Sequence, residues 1–299
     1  MSILVVGSIA LDTVETPYGK ATDSPGGSAL YFSAAASLFA PVNVVGVVGT
    51  DFDFSQIEFL RERQVNLEGL KVEAGETFRW GGRYRRDMNR RDTLFTYLNV
   101  FEKFQPEIPD HYRESQYIFL ANIDPELQMT VLDRIRQPRL TVLDTMNFWI
   151  SGKRRELEAV IQRVDILILN DEEIRELTGH PHIFQSAQKL LELGPTALVI
   201  KKGEHGAILV TNHSYFFSPA YPVSQVIDPT GAGDSFAGGF LGYLAACGEI
   251  NEANMRRAVI YGSTVASFTV EDFSFKRLKE ITRADVDSRV EEMRLMTLF

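Results

Sequence analysis

The sequence predicts an α/β fold: a central, mostly parallel sheet flanked by helices, with a small β lid. Three observations predict it. Short apolar runs alternate with longer amphipathic stretches over most of the 299 residues, the rhythm that builds parallel sheets covered by helices on both faces. After Asp228 the pattern turns helical. One region, Thr77 to Val100, breaks the alternation with two strand-like runs separated by an arginine-rich turn.

Taken in order, Ile3–Val6 reads as a first strand, because Met1–Gly7 has neither a basic leader nor a small-residue cleavage site. Ser24 to Thr50 carries no charge, but its punctuation argues against a membrane span: a turn at Pro25, Gly26 and Gly27, a small-residue helix over Ala29–Phe39, a break at Pro41 and a buried strand over Val42–Val48. Further strands are expected at Tyr117–Ala121, Thr141–Leu143, Asp165–Leu169, Ala197–Ile200, Ala207–Val210 and Tyr215–Phe217. Helices are expected at Ser55–Gln64, Pro125–Arg136, Lys153–Arg163, Glu172–Thr178, Ile183–Leu193, Ser235–Cys247, Glu252–Phe268 and around Asp285–Leu295. With no repeat or low-complexity linker, residues 1–299 read as one domain, with lid segments at about 12–24 and 77–100.

In the lid hairpin, strands are expected at Thr77–Tyr84 and Thr93–Val100. Period-2 geometry puts Phe78, Trp80, Gly82 and Tyr84 on one face and Arg79, Gly81 and Arg83 on the other. The aromatic face either turns toward a substrate or packs on the sheet or on a second subunit. From Arg79 to Asp92 there are six Arg and two Asp. The plain reading is a solvated hairpin tip, and the functional one is a contact with a phosphate-bearing ligand or a neighbouring subunit.

Composition narrows the function. Lys and Arg number 31 against 40 Asp and Glu, a net charge of −9, which disfavours nucleic acid or an anionic membrane as a partner, since those need a basic field over a face. Hydrophobic residues at 44% and charged ones at 24% are those of a folded globular chain. A single cysteine, Cys247, makes no internal disulfide and no Cys-rich metal cluster, so a cytoplasmic location is the expectation. The histidines His111, His180, His182, His205 and His213 show no metal-ligand spacing on one helix, and no Gly-x-Ser-x-Gly elbow occurs.

The strongest chemical signal is Asp228-Pro229-Thr230-Gly231-Ala232-Gly233-Asp234, running into an apolar helix. Backbone N–H groups at a helix start have no intrahelical acceptor and carry the positive end of the dipole, so Gly231, Ala232 and Gly233 can cradle an anion. Such donors stabilise a phosphoryl group in transfer, and Asp234 beside them is placed to take a proton from an attacking hydroxyl. Gly238 and Gly239 within the helix hint at close packing or ligand approach. The segment is not a dinucleotide fingerprint, since Phe236 stands at the third glycine position, and no Walker loop occurs in the chain. A purely structural alternative makes Asp234 an early-helix carboxylate facing the dipole.

This segment resembles the C-terminal signature of the PfkB, or ribokinase-like, family of carbohydrate and nucleoside kinases. Other positions agree in order along nearly the whole chain: Gly7 and Asp12 after the first strand, Gly26-Gly27 before a small-residue helix, Asn170-Asp171-Glu172-Glu173 as Asn-x-x-Glu, and Gly203-Glu204-His205-Gly206 as Gly-x-x-Gly. The resemblance implies a ribokinase-like fold and transfer of the γ-phosphate of ATP to a primary hydroxyl. Asp234 would be the general base, and Gly231, Ala232 and Gly233 the anion hole. Asp12, Gly26 and Gly27 would hold acceptor hydroxyls. Asn170, Glu173, Lys202, Gly203, Gly206 and Thr230 would serve ATP, with Glu173 ordering Mg²⁺ through water and Asp228 contributing to a monovalent-cation (K⁺) site. Without that resemblance Asn170 is equally a cap and Asp12 a turn carboxylate.

Two departures bear on specificity. Tyr31 stands where the first signature usually has asparagine, so acceptor recognition differs from that of standard ribokinases and fructokinases. Lys201 and Lys202 stand where a Thr and an apolar residue are common; either reaches an ATP phosphate or both are surface residues, with the balance toward the surface. The acceptor is read as a nucleoside, with Tyr31, Phe32, Phe78 and Trp80 as flat surface for a base. A free furanose or hexose is the near alternative, and a non-catalytic ligand-binding protein on the same fold the distant one. A homodimer through the aromatic lid face is also expected.

Overall fold

The computed structural model describes residues 2–298. Its strands are β1 (Ile3–Val6), β2 (Ala10–Thr16), β3 (Gly19–Gly26), β4 (Val42–Gly49), β5 (Val65–Glu73), β6 (Phe78–Tyr84), β7 (Arg91–Tyr97), β8 (Tyr117–Leu120), β9 (Leu140–Asp144), β10 (Ile166–Asn170), β11 (Ala197–Lys201), β12 (Ala207–Thr211) and β13 (Tyr215–Ser218). Nine of them form the main sheet in the order β13-β12-β11-β10-β9-β8-β1-β4-β5, and β3-β2-β6-β7 form a second, four-stranded sheet. From β5 to β11 every neighbouring pair in the main sheet is parallel, and β12 and β13 close one edge as antiparallel strands.

The apolar runs that announced the inner strands are apolar because both faces are covered. Ile3 and Val5 join a core with Phe32, Phe119, Phe240 and Val259 under the helices Ser28–Ala36, Ala232–Cys247 and Glu252–Thr269. Leu4 and Val6 point the other way, into a core with Val131, Leu157 and Ile174 from the helices Pro125–Arg134, Arg154–Ile161 and Asp171–Thr178. Among the described residues no helix is long and apolar enough to cross a membrane.

The structure corrects the sequence reading in several places. Strand β5 had no clean alternation because its apolar positions change phase, from Val65 and Leu67 to Leu70 and Val72, and the register against β4 slips between Asn43 and Val45. Asp12–Ser24, expected as a lid segment, lies within a pair of regular strands. It is the antiparallel pair β2–β3, whose polar outer strand and Pro25 are tolerated because β3 is a sheet edge. The second lid strand starts two residues and ends three residues earlier than expected, and the chain then turns at Asn99, whose Nδ2 donates to the Thr77 carbonyl at 2.9 Å. Short helices at Asn147–Gly152 and Lys276–Glu280 carried no periodic signal.

Candidate active site

Three adjacent parallel strands end together, each on a polar residue: β9 on Asp144, β10 on Asn170 and β11 on Lys201. The carboxyl ends of parallel strands are where α/β folds open a ligand crevice. The helix Ala232–Cys247 starts at this edge from Gly231, which has the left-handed φ of +75°. A β-carbon on Gly231 would stand 2.3 Å from the Tyr31 ring, so both conformation and space require glycine.

Of the three proposed anion-hole donors, the Ala232 N–H turns back to the Pro229 carbonyl at 3.2 Å. Gly231 and Gly233 donate to no carbonyl among the described residues. The hole is therefore narrower than the sequence implied. Asp234 sits in the first helical turn, and burial pushes its pKa up to about 7; Asp144 adds to the rise, while Lys201 and Arg91 oppose it.

Lys201 is not a surface residue. Its ammonium donates to Asp144 Oδ1 at 3.1 Å, with the lysine side chain 18% exposed and the aspartate 7%. Burial pulls the lysine pKa down, but Asp144, Glu173 and Asp234 together carry it above its ordinary value. Lys202 is half-buried and fixes the turn through its N–H to the Gly206 carbonyl at 2.8 Å. Gly203 and Gly206 bound the turn that follows β11, and the lid tip reaches it: Asn89 Nδ2 donates to Glu204 Oε1 at 3.3 Å.

Asn170 and Glu173 form a capping box on the helix Asp171–Thr178. Asn170 Oδ1 accepts from the N–H of Glu172 and Glu173 at 2.9 and 2.8 Å, and Glu173 Oε2 accepts from the Asn170 N–H at 2.6 Å. The cap reading of Asn170 is thus realised, and the cap holds Glu173 at the strand ends. Burial pushes Glu173 up to about 7, against the pull of Lys201.

On the acceptor side, Asp12 is 5% exposed and lies so close to Gly26 that a β-carbon there would stand 1.9 Å from Oδ2. Burial, then Asp228, raises the Asp12 pKa to about 7, and the Gly27 N–H opposes the rise. Asp228 is buried and accepts from the Thr230 N–H at 2.9 Å, while the Thr230 hydroxyl donates to the Tyr84 hydroxyl at 3.3 Å, tying the turn to the lid. Trp80 is the register partner of Asp12 across β2 and β6, and the Arg91 guanidinium lies 5.0 Å from its ring centre.

The other aromatic candidates are not available as a stacking surface. Tyr31 is 2% exposed, its ring against Gly231 and 4.7 Å from Phe275. Phe32 stacks on Phe119 at 4.2 Å in the core, and Phe78 on Phe101 at 5.3 Å. Within the arginine cluster, Arg79 pairs with Asp23 and Asp51, Arg83 with Glu15 and Arg85 with Asp92. The charge of Arg91 is felt in the site, by Asp12, Glu173 and Asp234.

Sequence reasoning singled out neither Asp144 nor the inward course of Lys201, which it weighed as a phosphate contact but placed toward the surface, and it met Tyr84 and Arg91 only as members of the lid's aromatic face and arginine cluster. A usable signal existed for the first two: a charged residue closing a buried parallel strand stands at the ligand edge. The site as a whole brings five buried or half-buried carboxylates, Asp12, Asp144, Glu173, Asp228 and Asp234, to Lys201 and Arg91. Among the described residues no set of three His, Cys, Asp or Glu converges to hold a metal ion by itself.

Comparison with known proteins adds to this geometry. The family model described as pfkB family carbohydrate kinase matches residues 2–278. A cytidine kinase of Thermococcus kodakarensis is 31% identical over 247 residues, covering 81% of this chain and 87% of that protein. A nucleoside kinase of Methanothermobacter thermautotrophicus is 26% identical, covering 90% of this chain and 89% of its own length. Among solved structures, Methanocaldococcus jannaschii nucleoside kinase, described as an archaeal member of the ribokinase family, superposes with a TM-score of 0.76 at 23% identity, covering 97% of this chain and 98% of that one. A putative ribokinase II from E. coli superposes with a TM-score of 0.82 at 17% identity, covering 97% and 99%.

Proposed function

Because the chain belongs to the pfkB family of carbohydrate kinases, we propose that it is an ATP-dependent nucleoside kinase, transferring the γ-phosphate to the 5′-hydroxyl of a ribonucleoside. The observation that carries the acceptor is the pairing of buried Asp12 with Trp80 in the lid sheet, with Asp12 near enough to feel the charge of Asp234. A carboxylate accepts from two vicinal hydroxyls, and an indole beside it offers a flat face to a base. The similarity to a cytidine kinase supports the same reading. Mass analysis of the products formed with Mg·ATP from cytidine, and in parallel from free ribose, fructose and glucose, tests it: a nucleoside 5′-monophosphate is expected, and a phosphorylated free sugar with cytidine left unmodified would turn the reading to the furanose or hexose alternative.

Asp234 takes the hydroxyl proton as the oxygen attacks, and the free N–H groups of Gly231 and Gly233 face the charge that develops on the phosphoryl group. The residues suit Mg²⁺ carried on ATP: carboxylates outnumber the cations at the site, and Glu173 is held there by its cap. Glu173 and Asn170 would hold the ion through water, and the ion would neutralise phosphate charge. Asp228 is assigned to a monovalent-cation site on the family resemblance. Self-association through the lid is proposed from the exposed Leu94 and Tyr97 of edge strand β7. Lid closure would keep water from the phosphoryl group.

Two predictions follow from the electrostatics. A base must be ionised to act, and Asp234 titrates near 7, so kcat/KM is expected to fall as pH drops through neutrality; a limb centred near an ordinary carboxylate value would contradict the assignment. Asp12→Ala should raise the nucleoside KM by about 10- to 100-fold, as loss of a charged hydrogen-bond partner does, with KM for ATP little changed. In the wild type, removing the 2′-hydroxyl of the nucleoside should also raise KM, and in Asp12→Ala that penalty should disappear. A penalty of equal size in both enzymes would place the ribose elsewhere.

A further inference from the structure

Lys201 closes strand β11 in register with Asn170 on one side and Ala207 on the other. From that position its side chain runs into the site instead of out to solvent, and its Nζ comes within 3.1 Å of where a β-carbon on Gly233 would stand. Asp144 supplies one acceptor for the ammonium. An ammonium has three donors, and no other hydrogen-bonded partner of Lys201 occurs among the described residues. Burying an ion pair costs several kcal/mol per ion before attraction repays it, so a lysine enclosed here for structure alone would be expected to have its remaining donors satisfied by the protein. They lie beside the turn at Gly231 and Gly233, whose N–H groups donate to no carbonyl among the described residues.

We propose that Lys201 is a phosphate-contacting residue of this site, its ammonium held by Asp144 and donating to a γ-phosphoryl oxygen during transfer, with Asp144 as its positioning residue. The inference rests on the reading of the site as a phosphoryl-transfer site, but not on which acceptor is used. In the step, the acceptor oxygen forms a bond to the γ-phosphorus, and the bond from that phosphorus to the β,γ-bridging oxygen breaks, with its electron pair leaving on ADP. The hydroxyl proton goes to Asp234. Lys201 exchanges no proton; it meets negative charge already on the γ-phosphoryl oxygens and moves with it. Gly233 is part of the same arrangement, since any side chain there would meet the ammonium.

The test compares the full-length wild type with Lys201→Met and Lys201→Arg. With nucleotide alone, Lys201→Met should weaken binding of the non-hydrolysable β,γ-imido analogue of ATP by about tenfold or more and leave ADP binding nearly unmoved, because ADP lacks the γ-phosphate. With an acceptor the wild type uses, kcat should fall by about 10²–10³-fold, the loss typical of removing one such donor, while acceptor KM holds. Lys201→Arg keeps the charge and should recover part of both losses, which also covers the case in which the methionine variant fails to fold. Wild-type kcat in Lys201→Met, or equal weakening of ADP and the ATP analogue in either variant, would overturn the proposal. A wild type that phosphorylates only sugars would sink the nucleoside reading and leave this result standing.

Discussion

Asp234→Asn is expected to lower kcat by about 10²–10⁴-fold, the range lost with a general base, while ATP binding is retained. The carboxylate sits in the first turn of the Ala232–Cys247 helix, and the surrounding burial favours its proton-bearing form. The amide is nearly isosteric and keeps the turn intact, so the loss isolates proton transfer from positioning. It should appear equally in kcat and kcat/KM, the pattern of an interaction made only in the transition state. The acid limb of kcat, measured with both substrates saturating, should weaken in the residual activity, because the base is gone and Asp12 and Glu173, also raised to about 7, act through binding. An Asp234→Asn enzyme with wild-type turnover would remove Asp234 from the mechanism.

Gly231→Ala is expected to be nearly as damaging, by a different route. Two costs fall on one atom. The φ of +75° is strained for any residue with a β-carbon, by about 1 kcal/mol, and that carbon would overlap Tyr31 at 2.3 Å. The Tyr31 ring cannot swing clear, because it is buried against Phe275. The turn has to move instead, carrying Gly233 and Asp234 with it. A displacement of about 1 Å is enough to cost roughly 100-fold in rate. Combining Gly231→Ala with Tyr31→Ala should return part of the activity by removing the overlap, but not all, since the backbone strain persists. If the double variant is no better than Gly231→Ala, the Tyr31 contact is not what fixes the turn.

These expectations show which parts of the site could be read from the chain. The Gly231–Asp234 turn was legible as a helix start because it is made of a few consecutive residues, and the helix start dictates where the N–H groups point. The Asp144–Lys201 pair was not, because the two residues are 57 apart in sequence and meet only through the parallel register of β9, β10 and β11. Tyr31 was misread for a related reason. The helix Ser28–Ala36 is buried on every side, so no amphipathic stripe marks which of its residues face the ligand edge. The β5 strand escaped because a bulge reversed its alternation, whereas β1, unbroken and apolar, was legible to the residue.

The arginine cluster divides along the same line. For Arg79, Arg83 and Arg85 the plain reading holds, since carboxylates on the lid and its base take them up, and exposed pairs of this kind contribute little to stability. Arg91 differs because the β6–β7 register sets it opposite Tyr84, whose hydroxyl meets the turn before the Ala232–Cys247 helix through Thr230. The net charge of −9 thus conceals a site whose cations are placed one by one from the sheet and the lid. In the proposed function an anionic substrate would be met there by a helix start, a buried lysine and the metal that ATP brings, none of which requires a basic surface.

The most direct measurement is ADP release from Mg·ATP by the full-length protein across a panel of ribonucleosides, 2′-deoxynucleosides and free sugars. Strong stimulation by one or more ribonucleosides, weaker stimulation by their 2′-deoxy counterparts and little by free ribose, fructose or glucose is the predicted result. Stimulation by free sugars alone, or by no acceptor at all, would contradict it.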